Sequence, residues 1–438
     1  MRTLRPLIAL ILTGCGRCGN GVLDSGDSAD TWAPPAASED LSRDLLHTSL
    51  VVDMDSLTAT AAITVAGGET TGLSLEVQGL EILQVYTDGG PLDWTVADGR
   101  LDVGVPADGT DPVVTVDYAF ADQETFEGWM ETGSTLVWPY HCGNLFPCHS
   151  DPSDGLSFEL EIRTQQEGNV AVYPASIPAD APSYQIAWAM GIYERMDLGS
   201  TAGGVDLEIW YLAGHEANAI SGTEHLLGAW EWFEATLGPY PFGDRAGSVE
   251  VSWGPGAYGG MEHHPLSHVA TGAMGDRVTQ IHEAAHGWFG GGLRIACWED
   301  FALSEGTVTY LTARAITEVV GIDAGDETWA DYEDSLDYAI DNEVIESWPE
   351  GCGEVDILDD GLFSLGPYYK GAWFYRDYAE LVGVDELDTA LGSFFADHVG
   401  QAVTMQQMMD HLHLECGVDP MPLADGWLRS MGDPRAAR

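Results

Sequence analysis

"QIHEAAHGWFGGG", residues 280–292, sets two histidines and a glutamate in one short apolar segment of a chain that has 13 histidines in all. On a helix, His282 and His286 are four residues apart, so they stack on one face and can share one ion. Glu283 lies beside that face, the place for a carboxylate that works on water rather than one that binds the metal. The glycines at 290–292 then break the helix. Downstream, "CWEDFALSEGTVTYLTARAITEVV" (297–320) reads as a second helix, and Glu305 follows His286 with 18 residues between them. A catalytic zinc needs three protein ligands and one open position. The plain alternative is a helix that carries polar residues by chance, and an acidic residue at this one place favours the metal.

Longer stretches resemble a known family. "HEAAHGWFGG" followed by "WEDFALSEGTVTYL" is similar to the gluzincin metallopeptidases of the aminopeptidase N and leukotriene hydrolase family, whose pattern is H-E-x-x-H, 18 residues, then Glu. "FPCHSDPSDGLSFELEI" (146–162), "YQIAWAMGIYE" (184–194) and "LGPYPFGD" (237–244) resemble further stretches of it in the family's order. "GGMEH" (259–263) resembles its G-x-M-E-N substrate motif, and "PYYKG" (367–371) its Y-x-K-G motif.

The resemblance implies an α+β fold, with an N-terminal all-β domain (45–196) ahead of a thermolysin-like, mainly helical zinc peptidase domain (197–438). It implies one zinc per chain on His282, His286 and Glu305, with Glu283 as general base. Tyr368 would be the oxyanion donor, with Tyr369 its rival for the role. Glu262 would receive the α-ammonium group of a peptide, with Gly259, Gly260 and Met261 beside the substrate. The implied activity is a zinc aminopeptidase acting on peptides. The strand "VEVSW" (249–253) is expected to pair with an extended substrate. The family's large helical C-terminal domain has no counterpart here, so a more open cleft is expected.

Some positions depart from the pattern. His263, with His264 next to it, stands where the motif has Asn. Trp138 stands where relatives hold the substrate amine with Gln or Glu, and Gly143 replaces a basic residue. The alternatives are therefore a zinc endopeptidase or another zinc hydrolase on the same scaffold, and, less in keeping with the full residue set, an inactive binding protein.

Composition narrows the partners. The 71 acidic residues against 16 basic ones give a net charge of −55, which repels nucleic acid and anionic lipid. The only lysine is Lys370, inside "PYYKG". "MRTLRPLIALILTGC" (1–15) has early arginines, a short apolar run and small residues before Cys15, as a secretory signal does. "LTGC" resembles a bacterial lipobox. Cys15 would then be lipidated and anchor the chain to the cell envelope, at the outer membrane, with the catalytic part in the periplasm or outside the cell. A plain signal peptide is the alternative. Residues 16–44 read as a flexible acidic tether. In an exported chain disulfides persist, and Cys142 and Cys148, bracketing "CGNLFPC", are the first candidates for one. Cys297 and Cys352 are a further possible pair, and the connectivity stays open. Nothing in the sequence indicates an oligomeric state.

Apolar–polar alternation in "TSLVVDMD", "TATAAITV", "LSLEV" and "VVTVDYAF" predicts strands through 45–196. Helical spacing takes over from about 220, in "GTEHLLGAWEWFEATLG" and "YYKGAWFYRDYAELVG".

Overall fold

In the computed structural model, which describes residues 34–254 and 257–437, the alternating stretches are strands. The signal segment, Cys15 and the tether up to residue 33 lie outside the described residues. Residues 34–44 of the expected tether are held against the first domain. Ser38 bridges to Val103, the carbonyl of Asp40 accepts from Ser74 N at 2.8 Å, and Arg43 is buried.

Leu45–Asp53 buries every second or third residue, with Leu50 and Val52 facing inward. It pairs antiparallel with Thr58–Val65 and parallel with Gly155–Arg163, near the middle of a seven-stranded sheet. Ala61, Ile63, Val116 and Phe158 project from neighbouring strands into the same core. A three-stranded and a four-stranded sheet complete this half, and the Cys142–Cys148 disulfide closes the "CGNLFPC" loop.

The strand Tyr193–Ser200 runs across the expected 196/197 boundary into a further, five-stranded sheet. There Asp206–Leu212, Arg245–Val251 and Leu266–Ala270 are parallel neighbours, and Gly260–Met261 forms the antiparallel edge. This overturns the pairing expected of "VEVSW". Arg245–Val251 lies inside the sheet, paired through residues 245–249 with one neighbour and through residues 247–251 with the other. The part of "VEVSW" that is strand is therefore already paired with Leu266–Ala270, and the open edge belongs to Gly260–Met261.

Helices fill the rest: α1 (Glu216–Thr223), α2 (Leu226–Leu237), α3 (Arg277–Ala285), α4 (Phe301–Val319), α5 (Ile322–Asn342), α6 (Leu365–Val382), α7 (Val384–His398), α8 (Met405–Cys416) and α9 (Met421–Trp427). The fold is α+β in the expected order. Helix α4 is almost wholly buried and packs most extensively on α6. Gly306 and Gly371 make that approach possible, because a Cβ on Gly306 would lie 2.7 Å from the Cα of Gly371. No helix among the described residues is long and apolar enough to cross a membrane.

Candidate active site

Helix α3 starts at Asp276, whose carboxylate accepts from Val278 N at 3.0 Å and from Thr279 Oγ1 at 2.8 Å. Ile281, Ala284 and Ala285 sink into the core, which turns His282 and Glu283 towards a cleft. His286 ends the helix, and its Nδ1 lies 3.0 Å from the carbonyl of Phe289. That bond orients Nε2 towards His282, 3.3 Å away. Glu305, one helix on, brings Oε2 to 3.2 Å from His282 Nε2 and 3.4 Å from His286 Nε2. The three ligand atoms lie within 4.8 Å of one another.

The electrostatics of this cluster suit a cation. Burial disfavours a charged His286, yet Glu305, Glu262 and Glu283 surround it and hold its pKa up to about 10. Burial also works against an ionised Glu305, but the charge of His286 and hydrogen bonds from both histidines hold it down to about 2. Two imidazoles and one carboxylate, converging from two helices into a partly buried site, are the donor set of a catalytic zinc.

The groups expected to do chemistry line one cleft of about 590 Å³, among them Glu262, His282, Glu283, Glu305 and Tyr368. Burial pushes the Glu283 carboxyl well above its usual range, and Glu262 and Glu305 add to this against the opposing His286. Gly260 leaves it room, since a Cβ there would sit 2.5 Å from the Glu283 side chain. Burial and the same three carboxylates raise the Tyr368 phenol, so it stays a donor. Its ring lies almost parallel to that of His282, with centroids 6.0 Å apart. Tyr369 also reaches the cleft but packs edge-on against Tyr332. Glu262 is buried beside Tyr184, and burial raises its pKa despite His286. Gly259, Gly260 and Met261 form the adjoining rim.

His263 does not reach the cleft. It is buried against His268, with ring centroids 4.8 Å apart. His264 instead contacts Tyr240 Oη at 2.9 Å and the carbonyl of Glu283 at 3.1 Å, so it braces α3.

The possible Cys297–Cys352 pair is present as a disulfide and ties down the segment 343–364, but sequence reasoning did not find what else holds that segment or that it brings Phe363 to the cleft. Cys352 is joined to Cys297, and the Glu299 carboxylate accepts from the backbone N–H groups of Gly353, Glu354 and Val355 at 3.0, 2.7 and 2.9 Å. Tyr140 Oη accepts from Ile357 N at 2.8 Å. Held in this way, the segment delivers Phe363 to the cleft. No periodicity marks it. A separate groove of about 750 Å³ beside Tyr173 and Arg245 contains none of the candidate catalytic groups.

A helix-borne histidine pair, a glutamate from the next helix and an adjacent carboxylate together form a group that could hold a metal ion, in the arrangement the gluzincin resemblance implies. Residues 267–427 match the model of the Peptidase family M1 domain. The chain is 24% identical to leukotriene A-4 hydrolase of Xenopus laevis, over 89% of this chain and 71% of that protein. It is 23% identical to leucine aminopeptidase 2 of Neurospora crassa, over 87% of this chain and 62% of that protein. The fold is shared with an M1 zinc metallopeptidase from Deinococcus radiodurans at a TM-score of 0.75 and 19% identity, covering 92% of this chain and 98% of that one. It is also shared with yeast LTA4 hydrolase bound to bestatin, at a TM-score of 0.75 and 20% identity over 90% and 68% of the two chains.

Proposed function

We propose that this chain is a zinc-dependent aminopeptidase, with His282, His286 and Glu305 holding one zinc. The observation that carries the reading is Glu262, a buried carboxylate within 4.8 Å of ligand atoms on Glu283 and His286. A buried carboxylate is costly unless a cation pairs with it, and the α-ammonium group of a peptide is such a cation. A Deinococcus radiodurans relative has been solved with a Tyr-Ser-Ala substrate, which accords with a peptide in the cleft.

Zinc, when bound, supplies Lewis acidity for the attack of water on the scissile carbonyl. The Glu283 carboxylate, made more basic by burial, takes the proton of the attacking water and passes it to the leaving amine. The Tyr368 hydroxyl donates a hydrogen bond to the oxyanion of the tetrahedral intermediate. Glu262 fixes the free amine, so that only the first peptide bond reaches the attack position. Trp138, at the place of a second amine anchor, favours an endopeptidase as the second reading.

Cleavage of matched free and N-acetylated peptides, with products read by mass spectrometry, tests this. Free peptides should shorten one residue at a time and acetylated ones should resist. Efficient internal cutting of acetylated peptides sinks the aminopeptidase reading. Glu283→Gln should keep its zinc and lose activity. We also propose export on a lipid anchor at Cys15, supported by the "LTGC" sequence. Mass spectrometry of the mature N-terminus checks it, and an unmodified N-terminus beyond Cys15 refutes it.

A further inference from the structure

One wall of the cleft is built from side chains to which the mechanism gives no task. Trp138 and Phe363 meet there with ring centroids 4.5 Å apart. Trp138 is only 7% exposed, whereas Phe363 is 47% exposed, a large apolar ring left open at the cleft. The wall is fixed from behind. Trp298 abuts Trp138 edge-on at 5.7 Å, and Phe301 lies 6.0 Å from it. Phe301 in turn meets Tyr368 edge-on at 5.8 Å, and Tyr368 lies along the ring of His282. An unbroken run of rings therefore leads from the metal ligands to the exposed face of Phe363. On the other side, Tyr184, the neighbour of Glu262, lies 6.3 Å from Trp298. The wall thus stands next to both the amine anchor and the reacting centre, where the first side chain of a bound peptide must go.

The charges of the cleft limit what that side chain can be. Among the described lining residues there is no lysine or arginine, so an acidic side chain finds no partner and faces several carboxylates. Beyond Glu262, Glu283 and Glu305, the remaining lining carboxylate is Asp276. It is occupied by Val278 N, Thr279 Oγ1 and the Tyr258 hydroxyl, the last at 3.0 Å. A basic side chain would therefore compete with bonds that hold the start of α3. A flat ring laid on Phe363 beside Trp138 buries apolar surface on both partners and makes the offset or edge contacts that aromatic pairs favour.

We propose that Trp138 and Phe363 are specificity-determining residues, forming the subsite for the side chain of the substrate's N-terminal residue and selecting an aromatic one. The proposal rests on the aminopeptidase reading. The Cys297–Cys352 disulfide and the Glu299 carboxylate, by fixing segment 343–364, keep Phe363 in place before substrate arrives. Such preorganisation removes part of the ordering cost of binding.

The test uses the full zinc-loaded chain and a set of fluorogenic amides of Phe, Tyr, Leu, Ala, Arg and Glu with free amines, alongside acetyl-Phe amide and an acetylated peptide. Wild type should favour Phe and Tyr over Ala by roughly 10- to 100-fold in kcat/KM. Phe363→Ser and Trp138→Gln should each reduce that ratio at least fivefold, chiefly by raising KM for Phe. Trp138 is packed in the core, so zinc content and melting temperature are read for both variants, and exposed Phe363 supplies the decision if Trp138→Gln misfolds. Turnover of the free amides without aromatic preference, or an unchanged Phe-to-Ala ratio in Phe363→Ser, overturns the subsite and leaves the aminopeptidase standing. Internal cutting of the acetylated peptide with no turnover of the free amides overturns both.

Discussion

Lys370→Met is expected to destabilise the chain by about 3–5 kcal/mol, the cost of stranding one member of a buried ion pair. Lys370 is fully buried, and its ammonium donates to Glu343 Oε1 at 2.5 Å and to the carbonyl of Ser430 at 2.7 Å. The Glu343 side chain is 4% exposed, and its other oxygen accepts from Gly432 N at 2.8 Å. Methionine fills much the same space but leaves that carboxylate with one backbone donor and no counter-charge. The pair ties α6 to the end of α5 and to residues 430–432, and Tyr368 lies two residues before Lys370, so kcat should fall as well. The assay is urea unfolding followed by tryptophan fluorescence, on Lys370→Met and on Lys370→Met/Glu343→Gln. The double variant removes the stranded charge but keeps an acceptor for Gly432 N, so it should regain most of the loss. A single variant within about 1 kcal/mol of wild type, or a double variant no better than the single, would refute the reasoning.

Tyr368→Phe should lower kcat by roughly two to three orders of magnitude with little change in KM, as for the loss of one oxyanion donor. Tyr369→Phe should have little effect, and the reverse outcome would reassign the donor. Glu305→Ala should lose most of its zinc by elemental analysis, since only the two histidines remain as ligands. Chelator treatment of wild type should abolish activity and lower the melting temperature, and zinc should restore both. Gly371→Ala should cost about 1–3 kcal/mol by overpacking, because its Cβ would run into the backbone of Gly306, next to Glu305. Unchanged stability would mean that α4 and α6 can separate freely.

The metal cluster was legible because its information is local. His282 and His286 are one helical turn apart, and the turn itself brings them together. Glu305 could be found because a short breaker-rich connection leaves a second helix little freedom in where it returns. The strands of the first half were legible for a similar reason, since alternating burial leaves a period of two along the chain. The roles of Tyr368 and Glu262 came from motif likeness, not periodicity.

By itself, then, the sequence determined the α+β order, the helices that carry the candidate ligands and which three side chains come together as a candidate donor set. Tertiary structure decided what depends on residues far apart in the chain. It set Phe363 against Trp138, placed Glu343 and Ser430 around Lys370, and let Gly306 meet Gly371. It also paired the start of "VEVSW", residues 249–251, with Leu266–Ala270, which no pattern within that strand announces. Local propensities and periods repeat along the chain and can be read from it. Contacts across the core exist only once whole elements have packed, and there the partner is chosen by shape and burial rather than by spacing.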